Sequence, residues 1–120
     1  MEYTVVLVKP DFKELEQAVK NLVERIHARC TRKQIAFTRQ VIEQFYPQQA
    51  TYFEVMDEYY RSRLVIAFLI EGHDVVQAFR NLKLSIVFER KLKKPKDGIH
   101  ASDSFREAQR ERSIIFGDQP

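Results

Sequence analysis

The chain is short of residues that interrupt regular structure. Three glycines and four prolines in 120 residues predict dense helix and strand joined by few long loops. A single cysteine, Cys30, excludes an intrachain disulfide, suits a reducing compartment, and is expected to be structural. No apolar run approaches the ~20 residues that a membrane-spanning helix needs. The opening MEYTVVLVKPD carries an acid at Glu2 and too short an apolar run for a secretory signal. Charge of one sign is also scarce: 20 Lys and Arg against 17 Asp and Glu leave a net charge of +3. That mild basic bias suits a small polyanion and is too weak to imply nucleic acid. What is present, 44% hydrophobic and 31% charged residues, describes one cytosolic globular domain over residues 1–120.

Hydrophobic spacing divides the chain into elements. YTVVLVKP, from Tyr3 to Pro10, is a β-branched run closed by proline and reads as a buried strand. Asp11 is expected to cap the long amphipathic helix DFKELEQAVKNLVERIHARC, in which Phe12, Leu15, Val19, Leu22, Val23 and Ile26 recur at three and four. QIAFTRQ, from about Gln34, predicts a second strand. The segment from Val41 to Arg61 is helical in composition and broken at Pro47 into two short helices. RLVIAFLIEG predicts a central strand, and HDVVQAFRNLK a helix with Val75, Val76, Phe79 and Leu82 on one face. LSIVFERKLKKPKDG shows no clear period and reads as a connection. SDSFREAQRERS is a short helix opened by a capping box, Ser104 with Glu107, and SIIFG a last strand. This order predicts an α+β, ferredoxin-like split βαβ fold, with helices covering one face of a four-stranded, mainly antiparallel sheet.

Chemistry concentrates in DGIHASDSFREAQRE. His100 there is a buried structural histidine, a solvated loop residue, or a nucleophile at the mouth of a helix. A neutral imidazole attacks through one nitrogen while an acceptor holds the other. Glu107 and Glu111 lie one turn apart on the last helix, so either could reach back to it. The following helix start would favour phosphate. Lys9 at the first strand end and Arg80 on a helix supply cations, arginine being able to grip phosphate oxygens in pairs. The bland alternatives are a surface lysine and a surface ion pair. Tyr46 and Tyr52 could equally be packing aromatics, KLKKPK a solvated loop, His27 a helix-surface residue and His73 a helix-start residue.

LVKPD at the first strand end and IHASDS before the last helix, in this order of elements, resemble the nucleoside diphosphate kinase family over nearly the whole chain. The resemblance implies ping-pong transfer of the γ-phosphate of ATP or another nucleoside triphosphate to a nucleoside diphosphate. It implies Mg²⁺ carried by the nucleotide phosphates, with Asp103 placed to reach it through water, and a homo-oligomer. Carried over by residue, His100 is the phosphorylated nucleophile, and Ser102 and Glu111 orient it. Lys9 and Arg80 meet phosphates, Tyr46 lies near the histidine, and Tyr52 stacks the base. The stretch between Arg80 and His100 is shorter than the family's loop. That leaves Arg90 as the candidate second phosphate contact, Ser85 as the nearest hydroxyl, and Asp97 where the family has a sugar-binding asparagine. The family's glycine after the histidine is Ala101. Since that loop also contributes to subunit contacts in family hexamers, the oligomer size stays open. Two other classes compete. One is a kinase-like domain that binds nucleotide or protein without efficient transfer. The other is a single-strand nucleic-acid module, against which the aliphatic strands argue.

Overall fold

The computed structural model describes residues 1–46 and 50–117, with side chains in the third helix from Tyr52 onward. Strand β1 (Glu2–Val8) pairs with β3 (Leu64–Gly72), placing Val5 opposite Leu69. Strand β2 (Arg29–Ala36) takes the other side of β3, and the three-residue β4 (Ile99–Ala101) takes the free side of β1. The sheet order is β2-β3-β1-β4 with every neighbour antiparallel. Because β3 separates β1 from β2, this is the ferredoxin-like split βαβ arrangement.

Helices pack on both faces, not on one as the sequence suggests. Helices α1 (Glu16–Arg25) and α4 (Val75–Arg90) cover the face that carries Val6, Val8, Phe68 and Ile70. Helices α2 (Arg39–Phe45), α3 (Ala50–Tyr60) and α5 (Phe105–Phe116) belong to the opposite face, where Val5, Leu7, Ala67 and Leu69 meet Phe37, Phe45, Met56 and Ile115. The reason was visible in the strands. Thr4–Val8 and Val65–Ile70 are buried residue after residue, the pattern of strands covered on both sides. An alternating strand would have left one face open.

Four element boundaries also differ. Asp11 does not cap a helix: it takes a left-handed turn (φ 74°) and pairs with Arg63. A 3-10 turn at Lys13–Leu15 leads into α1, and β2 follows from Arg29 instead of Gln34. β2 is a polar edge strand exposed almost throughout, so no alternation marked its start; Cys30 on it is exposed rather than packed. The expected connection after Lys83 is helical as far as Arg90, because Ile86 buries itself on the face that already carries Phe79. SIIFG is not a strand. Ala108, Glu111 and Ile115 follow one buried face of α5 into it, and the fourth strand is IHA, which carries His100. The capping box is half present: the Glu107 amide donates to the Ser104 hydroxyl (3.1 Å). The expected break at Pro47 lies outside the described residues.

Segment 91–98 closes the gap between α4 and β4. The Leu92 amide donates to the Val87 carbonyl (3.1 Å), and the Lys9 amide to the Gly98 carbonyl (3.1 Å). Gly98 has φ 92°, and a Cβ there would stand 3.0 Å from both Ile86 and Leu15. Gly98→Ala should therefore cost about 1–3 kcal/mol, read as a lower urea midpoint at constant slope. An unchanged midpoint would show that the turn relaxes freely.

Candidate functional site

Register places the polar residues together. Side chains directly opposite across a sheet share a face, so His100, opposite Leu7, lies on the face of Val5 and Leu7. Lys9 and Ser102 continue the same alternation. The His100 Nε2 is 2.9 Å from Glu111 Oε1, and the Ser102 hydroxyl donates to that same oxygen at 2.7 Å. The Val5 amide donates in turn to the Ser102 oxygen (3.0 Å). Glu111 and Ser102 are both buried. An ionised carboxylate only accepts, so Nε2 carries the proton and Nδ1 keeps its lone pair. Among the described residues nothing hydrogen-bonds Nδ1. Of the two acids that could reach the ring, Glu111 does so; Glu107 accepts instead from Arg110 Nε (2.9 Å).

His100 lines a cavity of about 280 Å³ with Phe45, Tyr46, Tyr52, Asp103, Glu107, Arg110 and Glu111. Phe45 meets the imidazole edge to face at 5.0 Å. The Tyr46 hydroxyl donates to that of Tyr60 (2.8 Å), and burial raises the Tyr46 phenol well above its ordinary range, so it stays protonated. Tyr52 lies 6.0 Å from Tyr46 and is raised too, by burial first and then by Asp97 and Asp103.

The other expected residues sit apart from that lining. Lys9 is buried and paired with Asp97, also buried, and its ammonium donates to the Pro95 carbonyl (3.2 Å). Lys83 lies 3.7 Å from the second oxygen of Asp97. Asp97 is therefore turned inward onto lysines rather than open to a sugar. Burial pushes Lys9 from 10.5 down to about 8, against the pull of Asp97 and with the help of Lys83 and Lys94. Arg80 is half-buried on α4, and Arg90 at its end pairs with Glu14 (3.1 Å). Ser85 is exposed on α4. Sequence reading missed Phe45, Arg110, Lys83 and Tyr60. Phe45 and Arg110 each adjoin a residue already singled out, which was the available signal; Lys83 and Tyr60 are brought in by packing alone.

The chain as a whole has counterparts among known proteins. Residues 2–120 match the family model described as nucleoside diphosphate kinase. The chain belongs to the nucleoside diphosphate kinase family. A nucleoside diphosphate kinase of Saccharolobus islandicus (strain L.S.2.15 / Lassen #1) is 30% identical over 132 residues, covering 97% of this chain and 95% of that protein. One from Saccharolobus solfataricus is 30% identical over 94% of this chain and 93% of its own length. Among solved nucleoside diphosphate kinases, that of Encephalitozoon cuniculi superposes with a TM-score of 0.87 at 26% identity, over 100% of this chain and 93% of that one. That of Aquifex aeolicus gives 0.81 at 26% identity, over 96% and 94%. Among the described residues no helix is long and apolar enough to cross a membrane.

Removing the Ser102 hydroxyl would orphan the buried Val5 amide and free one side of Glu111. Ser102→Ala should cost about 1–3 kcal/mol by the price of an unsatisfied buried donor, measured by chemical denaturation. A cost near zero would mean that water replaces the hydroxyl.

Proposed function

We propose that this single-domain kinase moves the γ-phosphoryl group of a nucleoside triphosphate to a nucleoside diphosphate by way of a phosphohistidine at His100. The observation that carries the reading is the Nε2–Glu111 bond, with Nδ1 left unbonded on a residue that lines the cavity. Nδ1 attacks the γ-phosphorus, the Nδ1–P bond forms, and the bond from phosphorus to the β,γ-bridging oxygen breaks, releasing nucleoside diphosphate. The proton stays on Nε2, donated to Glu111, whose carboxylate offsets the positive charge that grows on the ring. In the second half a terminal oxygen of the incoming diphosphate attacks phosphorus and Nδ1 leaves, so atoms and charge balance over the cycle. Ser102 positions Glu111, as an acceptor that is already hydrogen-bonded costs no reorganisation during the reaction.

Transfer asks mainly for positioning and neutralised charge. Lys9 and Arg80 would supply cations to the phosphates, and Tyr46 a phenol beside the imidazole. Tyr52 would stack the base. Arg90 stays a candidate only if it leaves Glu14, and Asp97 would act on the nucleotide through Lys9. A nucleotide kinase generally implies a divalent metal. We assign Mg²⁺ borne by the nucleotide phosphates, where it would neutralise charge on the transferring group, with the Asp103 carboxylate on the cavity wall as the candidate acceptor through water. The working protein is read as a cytoplasmic homo-oligomer. A second reading, nucleotide binding with little transfer, has its own support in the Lys9–Asp97 pair, which occupies a cation that phosphate needs.

Incubation with γ-labelled ATP and Mg²⁺ should give an acid-labile, base-stable label that leaves on GDP or CDP and is absent from His100→Ala. Saturable nucleotide binding without label would favour the second reading. The pH dependence follows from Lys9. Its folded-state value near 8 lies below the ordinary 10.5, so folding disfavours the ammonium below about pH 8 and that penalty fades as pH rises towards 10.5. Phosphate binding has the opposite sign, since the charge it uses is lost above 8. The nucleotide KM should therefore rise above about pH 8, and a KM flat to pH 10 would remove Lys9 from the site.

A further inference from the structure

Two groups hold the His100 ring, and one side chain reaches both of them. The ring meets Phe45 edge to face at 5.0 Å, and its Nε2 is bonded to Glu111 Oε1. Phe45 is the last residue of α2, whereas Glu111 belongs to α5. Arg110 of α5 spans the two helices. Its Nη1 donates to the Gln44 carbonyl (2.8 Å) and its Nη2 to the Phe45 carbonyl (3.0 Å). Tyr46 turns extended (ψ 142°) and ends α2 there, so these are the carbonyls of a helix end, where intrahelical donors run out. Arg110 Nη2 also stands 3.9 Å from Glu111 Oε2, the carboxylate oxygen that neither His100 nor Ser102 uses. Its guanidinium carbon lies 5.9 Å from the centre of the Phe45 ring. Glu107, one turn earlier on α5, accepts from Arg110 Nε (2.9 Å) and turns the fork towards α2.

We infer that Arg110 is a positioning residue for phosphoryl transfer, bracing α2 against α5 so that Phe45 and Glu111 together fix the imidazole orientation from which Nδ1 attacks. This rests on the reading of His100 as the nucleophile. Strand β4 gives the histidine its place, but the ring can still turn about its own side-chain bonds. The Phe45 contact and the Glu111 bond stop that rotation, and they do so only while their two helices keep their spacing. A guanidinium suits the task because its rigid, planar fork meets several acceptors at once, whereas an ammonium is a point charge on a flexible stem. One bond from each of its three nitrogens holds Arg110 in place, which favours a brace over a ligand for phosphate. Ser102 keeps its own bond to Glu111 Oε1, so loss of the brace should loosen the ring without releasing it altogether.

The test compares the wild-type chain with Arg110→Met, Arg110→Lys and Arg110→Ala in three measurements. These are the single-turnover rate of labelling by γ-labelled ATP with Mg²⁺, ADP affinity by calorimetry, and the nitrogen-edited proton NMR signal of His100 Nε2–H. The wild type should show that proton, because a bond to a buried carboxylate shields it from exchange with water. Arg110→Met should lose the signal and label more slowly by about tenfold to hundredfold, the scale of loss when reacting groups are misplaced. Its ADP affinity should stay nearly unchanged. Arg110→Lys should remain slow, and guanidinium ion added to Arg110→Ala should restore part of the rate, since the side chain is exposed to solvent. Labelling at the wild-type rate in Arg110→Met or Arg110→Lys overturns the inference. So does a lower urea midpoint with the imidazole signal intact, which would leave Arg110 a structural tie only. An affinity for ADP and inorganic tripolyphosphate that falls in step with the rate also overturns it, by assigning the guanidinium to phosphate. A wild type that takes no label sinks the kinase reading instead, and the Nε2–H signal then judges the brace: its loss in Arg110→Met upholds it and its survival refutes it.

Discussion

Everything in this fold depends on two neighbouring strands that have no solvent side. β1 and β3 bury consecutive residues, so helices must cover both faces, and a slip of register by one residue would exchange one core for the other. That rigidity is what makes a strand as short as β4 useful. Three residues carry little pairing energy of their own, yet they sit on the edge of the most constrained strand in the molecule. The position of His100 is inherited from Leu7 opposite it. Glu111 then arrives from α5, whose buried face is completed by Ala108 and Ile115.

The charges around the site are shared unequally. The cavity wall holds Asp103, Glu107 and Glu111 beside a single arginine, Arg110. Arg110 is already engaged with Glu107 and with the carbonyls of Gln44 and Phe45 at 2.8 and 3.0 Å. Buried Lys9 and half-buried Lys83 gather instead around Asp97. An asparagine in that place would satisfy hydrogen bonds without neutralising anything. The carboxylate lets a lysine be buried that would otherwise meet the full desolvation cost of an ammonium. It also means that any phosphate brought to Lys9 would have to compete with an internal anion.

Motif and alternation carried much of this architecture openly, and each failure has its own cause. VVLV and LVIAFLI announced the central strands, and Ser104 announced the start of α5. β2 was hidden because a polar edge strand has no buried face to reveal its period. SIIFG misled because its β-branched residues were weighed by local preference, and LSIVFER because it shows no clear period, whereas in the folded chain each continues the buried stripe of a helix already under way. The spacing of Ala108, Glu111 and Ile115 contained that answer. In the site, spacing put both Glu107 and Glu111 within reach of the imidazole, and only the third dimension chose between them. The lysine cluster around Asp97 was illegible for a plainer reason: Lys9 and Asp97 are 88 residues apart.

Segment 91–98 has a consequence for how the site responds to a visitor. A long loop that closes over a ligand must surrender its freedom at that moment, and the ordering entropy is subtracted from the affinity. Here Leu92, Pro95, Asp97 and Gly98 are each tied to an older part of the fold, and α4 has taken up the residues before them. The ordering was completed when the chain folded. A nucleotide that reaches this segment would meet a surface that needs no further ordering.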